Sequence, residues 1–381
     1  MGSLSQSARQ LYAQTLEGSQ VSLPHRFLLW LVYVLYHSAR LIKSSLYSLR
    51  ILPRRRLSVP TISVGNPTMG GAGKTPITAW LARVLGQPDR RPVILSRGYR
   101  RGAHRWMTLV SHGGKLLTDS LEAGDEPYLL ARKLPEASVI SGKRRASTGR
   151  VAIKNLDPGF IILDDGQQYY RLQRDLDISL VDLPLRPSQF RLFPFGELRE
   201  PLSRLARSDL IVLTRADQTT ANQRDAAVRF LDSTAPRIPR AWASFVVLRV
   251  RELGSANDVS VSSFKDRRLL ALANIAKPGG FHRILNGWAP TSVCTVSFPD
   301  HHRYDVKDEV RILTEVIRNK VDCVVMTEKD EVNLPPGFRL TVPAFVVEVD
   351  LEIRGDGFEI VPFLEEKLFK KSQDYQYQSM A

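Results

Sequence analysis

The chain predicts a doubly wound, mainly parallel α/β sheet followed by a second, smaller α/β domain. Three observations lead there. Short β-branched runs alternate with stretches of helical spacing, the pattern of parallel strands joined by crossover helices. A glycine-rich loop stands between the first such strand and the first such helix. At 381 residues the chain has room for two domains of ordinary size, and its 43% apolar and 24% charged residues exclude wholesale disorder. Neither a glycine period nor a heptad run is present, so collagen-like and coiled-coil classes are excluded as well.

The elements follow in order. Residues 60–65 (PTISVG) read as a strand, and residues 75–86 (TPITAWLARVLG) as a helix stopping at Gly86. Residues 92–96 (PVILS) are the next strand and 126–134 (EPYLLARKL) the next helix. Strands are then expected at 137–142, 159–165, 176–182 and 208–217. A second region opens with LRVREL (248–253) and contains LLALANIA (269–276), a helix near Val310 to Arg318, DCVVMT (322–327) and AFVVEVD (344–350). The expected division is a segment 1–56, a domain 57–245, a domain 246–368 and a polar tail 369–381.

The net charge is +15, so the surface attracts anions: nucleic acid, acidic lipid or a phosphorylated substrate. Its distribution narrows the choice. Residues 1–60 carry eight basic side chains and one acid, about half the excess. Within them the run FLLWLVYVLY (27–36) falls short of the roughly 20 residues a spanning helix needs. Leu41, Ile42, Leu46 and Leu49 continue at helical spacing, with Trp30, Tyr33 and Tyr36 as interfacial aromatics and Arg54, Arg55 and Arg56 as a basic flank. This reads as a helix lying on an anionic membrane surface, against the alternative of a buried core helix. The 26 residues before the apolar run argue against a secretory signal, while their single acid and several serines keep an organellar (mitochondrial) address open. Gln6 argues against myristoylation. The two cysteines, Cys294 and Cys323, form no CxxC pair and read as reduced thiols rather than zinc ligands or a disulfide. No recognised module supports nucleic-acid binding, so no nucleic-acid partner is expected.

The strongest motif is GNPTMGGAGKT (65–75), between strand and helix. Its glycines let backbone amides converge on phosphate oxygens, and the helix N-terminus adds its dipole. Thr68, Met69, Gly70, Gly71, Ala72, Gly73, Lys74 and Thr75 are the expected nucleotide-binding residues, with Thr68 standing where the strict pattern has glycine. Lys74 suits the β/γ-phosphates and the Thr75 hydroxyl suits Mg²⁺. Asp164 and Asp165 end the apolar strand IILDDG, the position of a carboxylate that holds Mg²⁺. The sheet is therefore expected to be P-loop NTPase-like. Asp125, in GDEP at a helix start, reads from spacing alone as a cap, with a general base as the alternative. FPDHHR (298–303) offers His301 beside Asp300 for an acid–base relay, or else a solvated loop. Arg97 and the run Lys143 to Arg145 follow strand ends, where α/β sheets bind ligands.

Together these stretches resemble the tetraacyldisaccharide 4′-kinase (lipid A 4′-kinase) family. The resemblance runs from about Arg26 to Asp330 and covers VPTISVGNPTMGGAGKTP, ILSRGYRR, GDEPYLLARK, ILDDGQQYYRLQRDLDISLVD, FGELREPLSRLARSDLIVLTRAD, FPDHHRY and VVMTEKD. It implies transfer of the ATP γ-phosphoryl group to the 4′-hydroxyl of an acylated glucosamine disaccharide 1-phosphate, at the cytoplasmic face of the bacterial inner membrane. It implies ATP and Mg²⁺ as cofactors. It makes Asp125 the base, assisted by His301, with Lys74 on the triphosphate. Asn66, Arg97, Glu126, Gln168, Tyr169, Arg199 and Glu200 are the residues expected at the substrate. Three departures stand out. Tyr169 replaces the family's usual His, residues 190–193 (FRLF) replace its Asn-Gly, and Pro67 follows Asn66 in place of Leu or Phe. Two competing readings are an NTPase switch or chaperone acting on a protein partner, and a catalytically weakened lipid-binding relative.

Overall fold

The computed structural model describes Tyr12, Thr15, Leu16 and residues 22–370, apart from 100, 103, 104, 276, 299–301 and 336. The chain groups into two compact units, neither continuous in sequence. One combines Met1–Lys74, Arg145–Ala243 and Ile353–Ala381, the other Thr75–Arg144 and Ser244–Glu352. In chain order the strands are β1 (Thr61–Gly65), β2 (Pro92–Ser96), β3 (Met107–His112), β4 (Lys115–Leu116), β5 (Ser138–Gly142), β6 (Phe160–Asp164) and β7 (Leu176–Asp182). They continue as β8 (Leu210–Thr214), β9 (Arg240–Glu252), β10 (Arg268–Leu272), β11 (Ser292–Val296), β12 (Cys323–Thr327) and β13 (Ala344–Gly355).

In the first unit the order is β6-β1-β7-β8-β9, parallel throughout. Every residue of β1, β6, β7 and β8 is buried, as expected for parallel strands covered on both faces. Val64 lies opposite Asp164, so the exits of β1 and β6 are neighbours. That pairing brings the glycine-rich loop beside the carboxylates. The strand expected to open at residue 248 begins already at Arg240, and its first four residues pair with β8.

The apolar run and the amphipathic stretch near the N-terminus form one helix, Leu23–Ser48. It opens after Ser22 with a proline in its first turn, where the missing N–H costs nothing. One side is packed: Leu29, His37 and Tyr47 are buried, Tyr36 and Tyr33 lie against Phe193 and Phe195, and His37 Nε2 bonds the Phe193 carbonyl (2.8 Å). The other side exposes Phe27, Trp30, Leu35, Leu41 and Ile42, each more than half accessible. Among the described residues no helix is long and apolar enough to cross a membrane.

In the second unit β2 and β5 are parallel, β3 runs antiparallel to β5, and β4 closes a hairpin with β3. A further parallel set has the order β11-β10-β12-β13. Alternate residues of β10 enter different cores. Leu269 and Ala271 join Phe264, Phe281 and Trp288, whereas Leu270 and Leu272 join Ile312 and Val316. Period-two burial on both faces is what a doubly wound sheet requires. Helix Asp125–Lys133 is tied to helix Glu328–Val332 by Lys133–Glu328 (2.6 Å) and Arg132–Glu331 (3.0 Å).

Candidate active site

The loop leaving β1 is shaped by close approach. A Cβ on Gly65 would lie 2.4 Å from Gln167 Cβ, so only glycine lets the strand end pass there. Gly70 (φ 95°) and Gly73 (φ 82°) take left-handed conformations, and a Cβ at Gly70 would meet nothing within 4 Å. The loop is pinned from residues 197–199. Met69 N donates to the Glu197 carbonyl and Arg199 N to the Pro67 carbonyl, both at 2.7 Å. Arg215 at the exit of β8 donates to the Gly71 carbonyl (2.6 Å) and pairs with Asp182. Ala72 is buried, and helix Lys74–Leu85 starts directly after Gly73. Thr75 sits in its first turn.

Four polar groups converge at the mouth of this loop. Lys74 Nζ lies 3.6 Å from Asp165 and donates to Asn66 Oδ1 (3.1 Å). Arg199 reaches both Asp165 oxygens (3.3 and 3.4 Å) and donates to Asn66 Oδ1 (2.7 Å). The Asn66 carboxamide is fully buried and orients by donating to Thr68 Oγ1 (2.9 Å). Burial would raise the Asp165 carboxyl, but the Lys74 and Arg199 cations override it and hold Asp165 well below the usual carboxylate range. The cluster is therefore fixed in charge: two cations, one carboxylate, one amide. Such a site neutralises a polyphosphate by preorganised donors.

A second layer supports the first. Asp164 is buried, and its carbonyl and that of Asp165 each accept from Arg145 (2.8 Å). The Tyr169 hydroxyl accepts from Ala146 N (3.0 Å) at the start of helix Arg145–Leu156. Gln168 donates to the Asn66 carbonyl (3.1 Å) and to Glu200 (3.3 Å). Glu200 is buried, which pushes its carboxyl up, against the lowering effect of Arg204.

In the second unit Asp125 is buried in the first turn of its helix, with Glu126 half-buried beside it. Gly124 (φ 90°) precedes it, and a Cβ there would stand 2.9 Å from the Tyr99 carbonyl. The GDEP turn and the SRGY stretch after β2 thus lie against each other, with Arg97 exposed at the strand exit. His301 lies outside the described residues. Its neighbour His302 is committed elsewhere: Nε2 bonds Asp308 (2.6 Å) and the ring stacks on Phe298 (4.8 Å). Asp330 of the TEKD stretch is buried and accepts from Asn274 N and Tyr304 Oη (2.7 Å each), anchoring the chain that follows His302. No cluster of three metal-ligating His, Cys, Asp or Glu side chains occurs among the described residues.

Sequence reasoning singled out Lys74, Asp165, Asn66, Arg199, Gln168 and Glu200, and the structure brings these together. It missed Arg215, which holds the Gly71 carbonyl, and Tyr170, whose phenol donates to Glu200. The only local signal for Arg215 was its place at a strand exit.

The chain matches the family profile described as tetraacyldisaccharide-1-P 4'-kinase over residues 25–368. Relatives bearing the name tetraacyldisaccharide 4'-kinase include that of Pelobacter propionicus, 37% identical over 83% of this chain and 86% of its own length. That of Syntrophus aciditrophicus is 33% identical over 87% of this chain and 90% of its own. Among solved structures, LpxK from Aquifex aeolicus in complex with ATP superposes with a TM-score of 0.67 at 28% identity, covering 90% of this chain and 99% of that one.

Proposed function

Because the chain belongs to the tetraacyldisaccharide-1-P 4'-kinase family, we propose that it moves the γ-phosphoryl group of ATP to the 4′-hydroxyl of a tetraacylated glucosamine disaccharide 1-phosphate. The product is a lipid A precursor with phosphate at both ends. The observation that carries this reading is the Lys74–Asp165–Arg199–Asn66 cluster at the mouth of the glycine-rich loop.

Phosphoryl transfer asks chiefly for positioning and charge neutralisation. The loop amides from Thr68 to Gly73 and the Lys74 ammonium take the triphosphate. Arg199 stands beside them and offers a planar, permanently charged donor pair to a phosphate. Thr75, Asp164 and Asp165 supply hard oxygen donors of the kind Mg²⁺ takes, and Asp165 is held ionised. When bound, Mg²⁺ neutralises phosphate charge. Asp125, buried in its first turn, is assigned the acceptor hydroxyl proton, with His301 assisting it. Arg97, Glu126, Gln168, Tyr169 and Glu200 are assigned to the neighbourhood of the disaccharide.

An acylated acceptor stays in its bilayer, so the enzyme must meet it there. The exposed apolar side of helix Leu23–Ser48, with the basic flank 54–56, is assigned to an anionic membrane surface, at the cytoplasmic face of the bacterial inner membrane. The test is a transfer assay with labelled ATP, Mg²⁺ and tetraacyl disaccharide 1-phosphate in detergent micelles. A bisphosphorylated lipid that is absent with Lys74→Ala supports the reading. No lipid product despite ATP binding overturns it.

A further inference from the structure

Tyr170 touches both the N-terminal helix and Glu200. Its phenol donates to Glu200, a buried carboxylate next in sequence to Arg199. Its ring packs on Tyr47 (centroids 5.9 Å apart) and lies beneath the Lys43 ammonium (5.3 Å). Tyr47 and Lys43 belong to helix Leu23–Ser48, whose opposite side is apolar and exposed. The same helix grips the chain leading to Arg199 a second time, through Tyr36 on Phe193, Tyr33 on Phe195 and His37 on the Phe193 carbonyl. Glu200 in turn shares Gln168 with the Asn66 carbonyl. A continuous set of contacts therefore runs from the helix through Tyr170 and Glu200 to Asn66, which holds Lys74 and Arg199.

We infer that Tyr170 is a positioning residue that couples the lie of the N-terminal helix to the Arg199–Glu200 pair, so that a helix settled on lipid sets the geometry of the phosphate site. The phenol–carboxyl bond is directional and partly shielded from water, where such bonds position strongly. The tilted packing on Tyr47 holds the ring that carries the phenol. The inference rests on the kinase reading and on the assignment of the helix to a lipid surface.

The test uses the full chain in mixed micelles of detergent and tetraacyl disaccharide 1-phosphate, measuring kcat and the KM for ATP. Tyr170→Phe keeps the ring and removes the bond to Glu200. It is expected to lower kcat about tenfold with the KM for ATP within about twofold. Tyr47→Ala is expected to lower kcat in the same direction. On a Glu200→Ala background, which has no acceptor for the phenol, Tyr170→Phe is expected to add nothing, which a merely destabilising change would not reproduce. Wild-type kcat in Tyr170→Phe, or independent effects in the double variant, overturns the coupling. Sedimentation with phosphatidylglycerol vesicles separates the two failures. A wild-type chain that transfers phosphate but does not sediment overturns the lipid assignment and with it the membrane half of the coupling. A chain that sediments yet ignores Tyr170→Phe overturns Tyr170 alone.

Discussion

Arg145 stacks on Tyr169, with its guanidinium carbon 4.5 Å from the ring centroid, while the Tyr169 hydroxyl accepts from the amide next to Arg145. The same arginine donates to the carbonyls of Asp164 and Asp165. Tyr169 therefore buttresses the turn that presents the carboxylates. Removing the hydroxyl in Tyr169→Phe should cost about 1 kcal/mol in urea denaturation, the scale of a lost helix-terminus bond. Tyr169→Ala, which also removes the stack, should cost more. Equal stability of Tyr169→Phe and wild type would show that the hydroxyl does not hold the helix start.

Asp165 gives a pH signature. Its folded-state carboxyl lies below the ordinary value, so its contribution to stability is present above the unfolded value near 4 and is lost as pH falls towards the folded one. Asp165→Asn removes that contribution. Urea midpoints of the two proteins should differ by a constant amount from about pH 7 to 5 and converge below about pH 4. A gap unchanged at about pH 3 would contradict an ionised, cation-held Asp165.

Asp125→Asn separates binding from chemistry. It leaves the Lys74 cluster intact, so ATP affinity by calorimetry should be nearly unchanged while kcat falls by roughly 100-fold or more. Near-normal turnover would remove Asp125 from the role of base.

The exposed helix side should govern lipid association without governing folding. Phe27, Trp30 and Leu35 are more than half accessible, so changing them to Ser should leave the melting temperature within a few degrees. Each change should weaken vesicle partitioning by roughly tenfold. Undiminished sedimentation of the triple variant would move the lipid contact elsewhere on the chain.

What the sequence disclosed and what it hid follow from locality. Residues 65–75 announce themselves because glycines, a lysine and a threonine stand at fixed offsets within one turn, and Asp164 and Asp165 because they close an apolar run. Arg215 and Tyr170 act through contacts more than a hundred residues away along the chain, with Gly71 and Tyr47, and no short pattern encodes those. The bond that the Tyr169 hydroxyl accepts from Ala146 N is likewise a contact between stretches that no short pattern encodes. Neither hydropathy nor spacing shows that residues 75–144 group with residues 244–352, since that depends on ion pairs such as Lys133–Glu328.

The last stretch of the chain belongs with the first. Asp356 N bonds the Arg240 carbonyl (3.0 Å), Phe369 meets Phe160 edge-on (6.0 Å), and Ile353 onward counts with the unit that contains the phosphate loop. Because that unit is assembled from three separated stretches, it is not complete until the residues from 353 onward have been made. A stop near residue 352 would therefore strip packing from the unit that contains residues 61–74, although the cut falls far from them along the chain.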